Sequence, residues 1–342
     1  MDLRIAVGAI PVPGFSLSNI RGASDLGPHK YNVGVLEIGS SDTGRIIERE
    51  NNGLVYTCRG GFLDIAHIRD WADMTVYLTA QIARNMDRGA AIDLSDQGGK
   101  RTILLGAIDK ARISSVGRRA NAVALAKWLA FQLSIWHEIS TWYGYASATT
   151  WPEKISAFSP EDIYSDLLGV KLAGGIIAQR DTGDERRYNE AMDAWIAMTL
   201  KRLRVVSKES ATGAIRSVAG IWWDPSRRIP DWKLTTRRQL DIGPVIHPWL
   251  VSMAFAPSRP LQDCAGAGPA LALRSPESFQ GTAFTNDAVL QIEVSDKLVS
   301  NGFPLPRKDS RRVTQADFPA IIEVIRGENA AEFGVRADRP EL

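Results

Sequence analysis

Cysteine is nearly absent. The chain of 342 residues has two, Cys58 and Cys264, and they fit no metal-ligand spacing such as C-x-x-C. Two readings of them stand side by side: a pair of buried free thiols, or one long-range disulfide. Histidine is also scarce, with only His29, His67, His137 and His247. Charge of one sign is missing too. Lysine and arginine number 41 against 39 acids, a net charge of +2. A dedicated nucleic-acid binder carries a strong basic excess, so no nucleic-acid partner is expected. No apolar run reaches the ~18 residues that span a bilayer. The best candidate, 122–136, is broken by Lys127. There is no Gly-rich phosphate loop and no Gly-x-Ser-x-Gly, which removes the nucleotide-cradle and serine-hydrolase-elbow readings. Internal repeats, low-complexity segments and a clear linker are absent as well.

What is present is an ordinary globular balance, 44% apolar and 23% charged, which excludes a disordered or fibrous chain. The expected fold is α+β: one large, helix-dominated domain over 1–330 with β-hairpin insertions, then a loose tail over 331–342. Residues 1–60 read as irregular and strand-rich, with a hairpin turn at Asn51-Asn52-Gly53 between 44–48 and 54–57. Residues 61–210 read as a helical core, with helices over 64–86, 118–137, 159–179 and 184–206. A second hairpin is expected over 90–108, turning at Asp96-Gln-Gly-Gly99. Ser159-Pro-Glu-Asp162 reads as a helix start, with Ser159 as cap and Pro160 in the first turn; Gly174-Gly175 weaken that helix. Residues 211–330 read as mixed, with strands over 215–260 and a last helix over 314–326. Met1 to Phe15 does not read as a signal peptide, because its short apolar stretch contains Pro11 and Pro13.

The densest chemistry is Trp136-His-Glu-Ile-Ser-Thr-Trp-Tyr-Gly144, which closes the most apolar helix. A carboxyl in such surroundings has its charged form disfavoured, as a general acid at neutral pH requires. Three readings compete. In the first, His137 and Glu138 begin a zinc motif of the H-E-x-x-H type. The second histidine position is Thr141, so a metal site needs a ligand from a distant segment. In the second, Glu138 is the acid of a glycan-cleaving enzyme. The string Phe131-Gln-Leu-Ser-Ile-Trp-His-Glu138 resembles the first catalytic helix of lysozyme-like and chitinase-like endolysins. That resemblance implies a lysozyme-like core in which Glu138 protonates the glycosidic oxygen, the second carboxylate coming from Glu153, Glu161 or Asp162. In the third, His137 and Glu138 fasten the helix to its neighbours, and Trp142 and Tyr143 are core.

A second constellation is Arg59-Gly-Gly-Phe-Leu-Asp-Ile-Ala-His-Ile-Arg-Asp-Trp-Ala-Asp73. Asp64, His67 and Trp71 share one helix face, with Asp70 and Asp73 beside it. An aspartate one turn from a histidine sets its tautomer and raises its basicity. The structural alternative is a helix start capped by Asp64. The pairs Arg227-Arg228, Arg237-Arg238 and Arg311-Arg312 read as solvated faces or as contacts to an anionic glycan or phosphate. Trp222, Trp223 and Trp232 read as core or as a sugar platform.

Tyr56-Thr-Cys-Arg-Gly-Gly-Phe-Leu-Asp-Ile-Ala-His-Ile-Arg69, the His-Glu string and Ser156-Ala-Phe-Ser-Pro-Glu-Asp-Ile-Tyr-Ser165 together resemble the bacterial domain of unknown function 4056 family, as does Asp25-Leu-Gly-Pro-His-Lys-Tyr31. The resemblance implies an exported, lipid-anchored envelope protein, hence membrane proximity through that anchor. Its leader and lipobox cysteine are not seen here, and a cytoplasmic location follows if Met1 is native. The family carries no established activity, so no catalytic role transfers from it.

The leading expectation is a glycoside hydrolase or lytic transglycosylase of the periplasm or cell envelope, acting on peptidoglycan or a related polysaccharide without cofactor or metal. Glu138, His137, His67, Asp64 and Asp70 form its catalytic set. Arg59, Arg69, Asp73, Trp142, Tyr143 and Glu161 bind substrate. The alternatives are a metal-dependent hydrolase using His67, His137 and Glu138, and a non-catalytic envelope glycan-binding or scaffold protein.

Overall fold

Asp64 accepts the backbone N–H groups of Ala66 and His67 and so opens helix α1 (Ile65–Asn85). The computed structural model describes residues 20–31, 50–145, 153–179, 183–226, 234–252, 259–334 and 336–340. α1 packs against both α2 (Arg118–Trp142) and α3 (Asp162–Ala178), and these three helices form the centre of the molecule. α3 is apolar almost all round, as a helix buried on most sides must be. Its two mid-helix glycines have packing reasons. A Cβ on Gly174 would meet the Lys127 stem of α2, and one on Gly175 would meet the Trp195 ring of α4 (Glu185–Arg202). A side chain would force those neighbours apart, which outweighs the propensity cost of glycine in a helix.

Strands β1 (Leu54–Thr57) and β2 (Gly61–Asp64) form a hairpin that leads into α1, with Tyr56 opposite Phe62. Gly60 lies in the turn between them, and Gly61 opens β2 opposite Thr57. The proposed partner strand 44–48 lies outside the described residues. The expected 90–108 hairpin is present as β3 (Ala90–Asp93) and β4 (Gly99–Leu105). Two strands beyond the expected set complete its sheet: β5 (Ala288–Val294) and β6 (Arg312–Thr314). The order is β6-β5-β4-β3, all antiparallel, with Leu290 and Ile92 both opposite Ile103. Ile103, Leu290 and Ile292 are buried on the face that joins the helical core.

The result is the α+β, helix-dominated fold, with corrections of detail. α3 begins at Asp162, because Ser159 is used in a turn: its backbone N–H donates to Asp162 Oδ2 and its hydroxyl to Ser156 O. α5 (Lys208–Ser217), capped by Ser207, stands at the start of a region read as strands. Beyond it the ladders are two-residue pairs, Trp223–Asp224 with Leu234–Thr235 and Val245–Ile246 with Leu273–Arg274. The last helix, α6 (Phe318–Phe333), starts later and runs further than expected. Trp222 is buried edge-on to Phe62 and Trp249, so it is core rather than a sugar platform; Trp232 lies outside the described residues. At the C-terminal end, Ala337 O accepts from Arg238 N, and Pro340 O from Trp222 Nε1.

Cys58 and Cys264 form a disulfide that ties the β1–β2 turn to the short helix Arg259–Cys264, 206 residues away in sequence. It closes a long loop, which restricts the unfolded chain. Replacing both cysteines by serine is expected to lower unfolding free energy by about 2–5 kcal/mol. Denaturant titration with and without reductant checks this; identical midpoints would refute it.

Candidate active site

Helix α1 comes unusually close to α3 at Gly169, where any Cβ would collide with the Ile68 carbonyl. That contact is one residue from His67 and three from Asp166. The close approach lets His67 Nδ1 reach Asp166 Oδ1 at 2.8 Å, across 99 residues of sequence. Gly169→Ala is expected to pry the helices apart, with a loss of about 1–3 kcal/mol typical of overpacking. A thermal melt checks the stability, and the His67 imidazole NMR shifts report the broken pair.

Around that pair the site is assembled from three helices. α2 contributes His137 and Glu138. α3 contributes Asp162 and Asp166, one turn apart on one face, with Glu161 at its start. Asp162 Oδ1 lies 3.9 Å from His67 Nδ1. His137 Nε2 lies 3.8 Å from Glu138 Oε1, and the two imidazoles meet edge to face with centroids 6.1 Å apart. One ligand atom from each of His67, His137 and Glu138 falls within 4.8 Å of the others. Asp166 occupies Nδ1 of His67, so Nε2 is the nitrogen left to converge. A carboxylate behind a ligating histidine is the usual support of a metal centre.

The second oxygen of Glu138 accepts the backbone N–H of Phe158. Phe158 has φ +55°, a left-handed conformation that is costly for a residue with a side chain. It is held there by its neighbours: Arg238 donates to Ala157 O, and Gln239 N donates to Phe158 O. Arg238, fully buried, also covers the Trp142 ring at 4.9 Å. The arginine read as a solvated or glycan-facing cation is thus an internal strut, because its two terminal nitrogens donate to the buried carbonyls of Ala157 and Thr235.

Charge is crowded here. Burial, with Asp166 beside it, pushes the Glu138 carboxyl up to about 8. Burial and Asp64 push Glu161 up to about 7. Burial and the neighbouring Glu138 raise Asp162 well above the carboxylate range, and burial raises Asp166 despite its bond to His67. Burial alone would hold His67 down, but Asp162 and Asp166 lift it well above an ordinary imidazole. His137 goes the other way. Burial, then the charges of His67 and Arg101, lower it to about 3, so it is neutral. Asp166 Oδ2 and Glu161 Oε1 are buried without a hydrogen-bond partner. Acids held this way are short of positive charge.

Gln97 sets the state of His137. Arg101 Nη1 donates to Gln97 Oε1, which leaves the amide nitrogen facing His137 Nδ1. His137 Nδ1 therefore accepts, and its proton sits on Nε2, toward Glu138. Only the edges of the site reach solvent: the His67 and His137 side chains are 17% and 14% exposed, Glu138 2%.

A model of protein of unknown function, DUF4056, matches residues 1–252. The chain belongs to that family. The DUF4056 match takes in all of α1, α2 and α3, and so every residue of the site. No curated protein and no solved structure matches the chain.

Of the residues expected in the site, His67, His137 and Glu138 are brought together. Asp64 caps α1 and binds Ser165 Oγ through its own N–H. Asp70 is half-buried and outside the converging set. Glu161 borders the acid cluster. The others serve elsewhere. Arg59 holds Pro269 O. Arg69 is buried and donates to Gly27 O, Glu50 O, Asn52 and Asp193. Trp142 Nε1 donates to Glu328, and Tyr143 packs on Phe303; both are buried. Asp73 belongs to a separate network, accepting from His29 Nε2 at 3.0 Å and Tyr188 Oη at 2.6 Å. Asp166, Gln97 and Arg101 were not singled out from sequence. The Asp162/Asp166 pair, four residues apart on an apolar helix, was the available signal for Asp166.

Proposed function

We propose that this chain is a metal-dependent hydrolase of the cell envelope, with His67, His137 and Glu138 holding one divalent ion. The convergence of these three side chains carries the reading. Asp166 behind His67 supports it, as do the buried, unpartnered carboxylate oxygens. Two imidazoles and a carboxylate suit zinc, which needs such ligand atoms ~3.4 Å apart for tetrahedral bonding at 2.0–2.1 Å. The group therefore draws in on binding. The ion would supply Lewis acidity to a water or to a carbonyl or phosphoryl oxygen. Asp162 and Glu161, whose carboxyls burial pushes up, would be the proton donors for a leaving group. The Cys58–Cys264 disulfide favours an oxidising compartment, in keeping with an envelope location. Among the described residues no helix is long and apolar enough to cross a membrane.

Elemental analysis of protein purified without a metal-affinity column tests this. About one zinc per chain is expected in the wild type and none in a folded His67→Ala variant. A metal-free wild type that hydrolyses its substrate would overturn the reading.

One observation favours a second reading, glycan cleavage by Glu138 as general acid: its carboxyl is pushed up to about 8. Against it, Trp142 and Tyr143 are buried and offer no sugar platform. Digestion of peptidoglycan sacculi by the wild type, lost in Glu138→Gln and indifferent to chelator, would favour this second reading.

A further inference from the structure

A cleft of about 680 Å³ lies between the N-terminal half of α2 and the C-terminal half of α3, bordered by residues 274–276, 278, 279 and 284. That size suits one small ligand. Its walls are mainly apolar, with Val123, Trp128, Leu167, Val170, Phe279 and Phe284 among them. Trp128 and Phe284 stack at a centroid distance of 5.6 Å. Among the described residues four cations join this lining, Arg119, Lys127, Lys171 and Arg274, and no acid does. Two of them are partly used: Lys171 Nζ donates to Arg274 O at 3.1 Å and Arg119 to Ile177 O. Lys127 is half-buried and has no hydrogen bond or ion pair with any described residue. Its stem lies against Gly174, where a Cβ would collide with it. Burial pushes both lysines down, and the charge of Lys171 lowers Lys127 further.

An apolar cleft that gathers cations without an acid is complementary to an anion with an apolar body. We propose that this cleft binds a long-chain fatty acid, with the carboxylate at Lys127 and Lys171 and the chain along the apolar wall. A membrane surface does not fit, because the cleft is a single-molecule space between helices. The site shares no residue with the His67–Glu138 centre, so its fate is independent of that reading.

The test uses the full-length chain, stripped of lipid, titrated with palmitic acid and, in parallel, with hexadecanol, followed by calorimetry. Palmitic acid is expected to bind at least tenfold more tightly than hexadecanol, the worth of one charge-assisted contact. Lys127→Met is expected to erase that preference, and Lys127→Arg to keep it. Glu138→Gln should leave it unchanged. Equal affinity for acid and alcohol, no binding of either, or a preference that survives in folded Lys127→Met would overturn the proposal.

Discussion

Gln97→Glu is expected to tighten zinc binding by about tenfold to a hundredfold, the usual leverage of a group behind a ligand. In the wild type Arg101 owns the Gln97 carbonyl, and the amide nitrogen faces His137 Nδ1. An ion on Nε2 requires the proton to move to Nδ1, where it meets another donor. The wild-type amide must then turn over and set its nitrogen against Arg101. A carboxylate at this position accepts from both sides at once. Arg101 keeps its bonds to Ser95 in either case. Competition against a chromophoric chelator measures the change. Unchanged or weaker zinc affinity would remove His137 Nε2 from the ligand set. The general-acid reading of Glu138 predicts no such gain, so the result also separates the two.

His29→Asn is expected to cost about 3–5 kcal/mol, as breaking a buried charged network does. His29 is buried with Glu50 Oε1 at 2.7 Å from one ring nitrogen and Asp73 Oδ1 at 3.0 Å from the other. Both nitrogens face carboxylates, so both must donate, and the ring is an imidazolium. Burial pulls its pKa down, but Asp73 and Glu50 outweigh this and raise it from 6.5 to about 9. The Tyr188 hydroxyl, on the same Asp73 oxygen, and the Arg69 guanidinium complete the surroundings. Because the folded value lies above the unfolded one, the contribution is complete below pH 6.5 and lost as pH rises through 9. A rise of this size is worth about 3 kcal/mol. Denaturation midpoints of the wild type should fall between pH 6.5 and 9.5, and those of His29→Asn should fall much less. Parallel curves would refute the assignment. The same network explains Arg69 and Asp73, which sequence placed at a substrate site: they anchor residues 27–31 and 50–52 to α1 and α4.

How much of this was legible beforehand depends on the range of the signal. Helix α1 announced itself through Asp64, because a cap acts on N–H groups two or three residues away. The β3–β4 hairpin was legible through its glycine turn. β5 was not, since its partner β4 lies nearly two hundred residues upstream and its alternation is short. His137 and Glu138 stood out as a polar pair ending an apolar helix. Thr141, at the second histidine position of a zinc motif, spoke against metal. The structure brings His67 from α1 within 4.8 Å of this pair, at a sequence distance no spacing rule covers. Arg238 was misread because a paired arginine looks the same in sequence whether its donors meet water or buried carbonyls.

By itself the sequence determined the globular class, the helix-dominated α+β character, the family, and the residue types able to do chemistry. These follow from composition, periodicity and contiguous strings. Which of those residues act together was decided only by tertiary packing. Gly169 lets α1 close on α3, and that contact puts His67 on Asp166 and opposite His137 and Glu138. The desolvation that shifts their protonation arises there as well, because it is the sum of everything packed around them, and no segment of chain carries it alone.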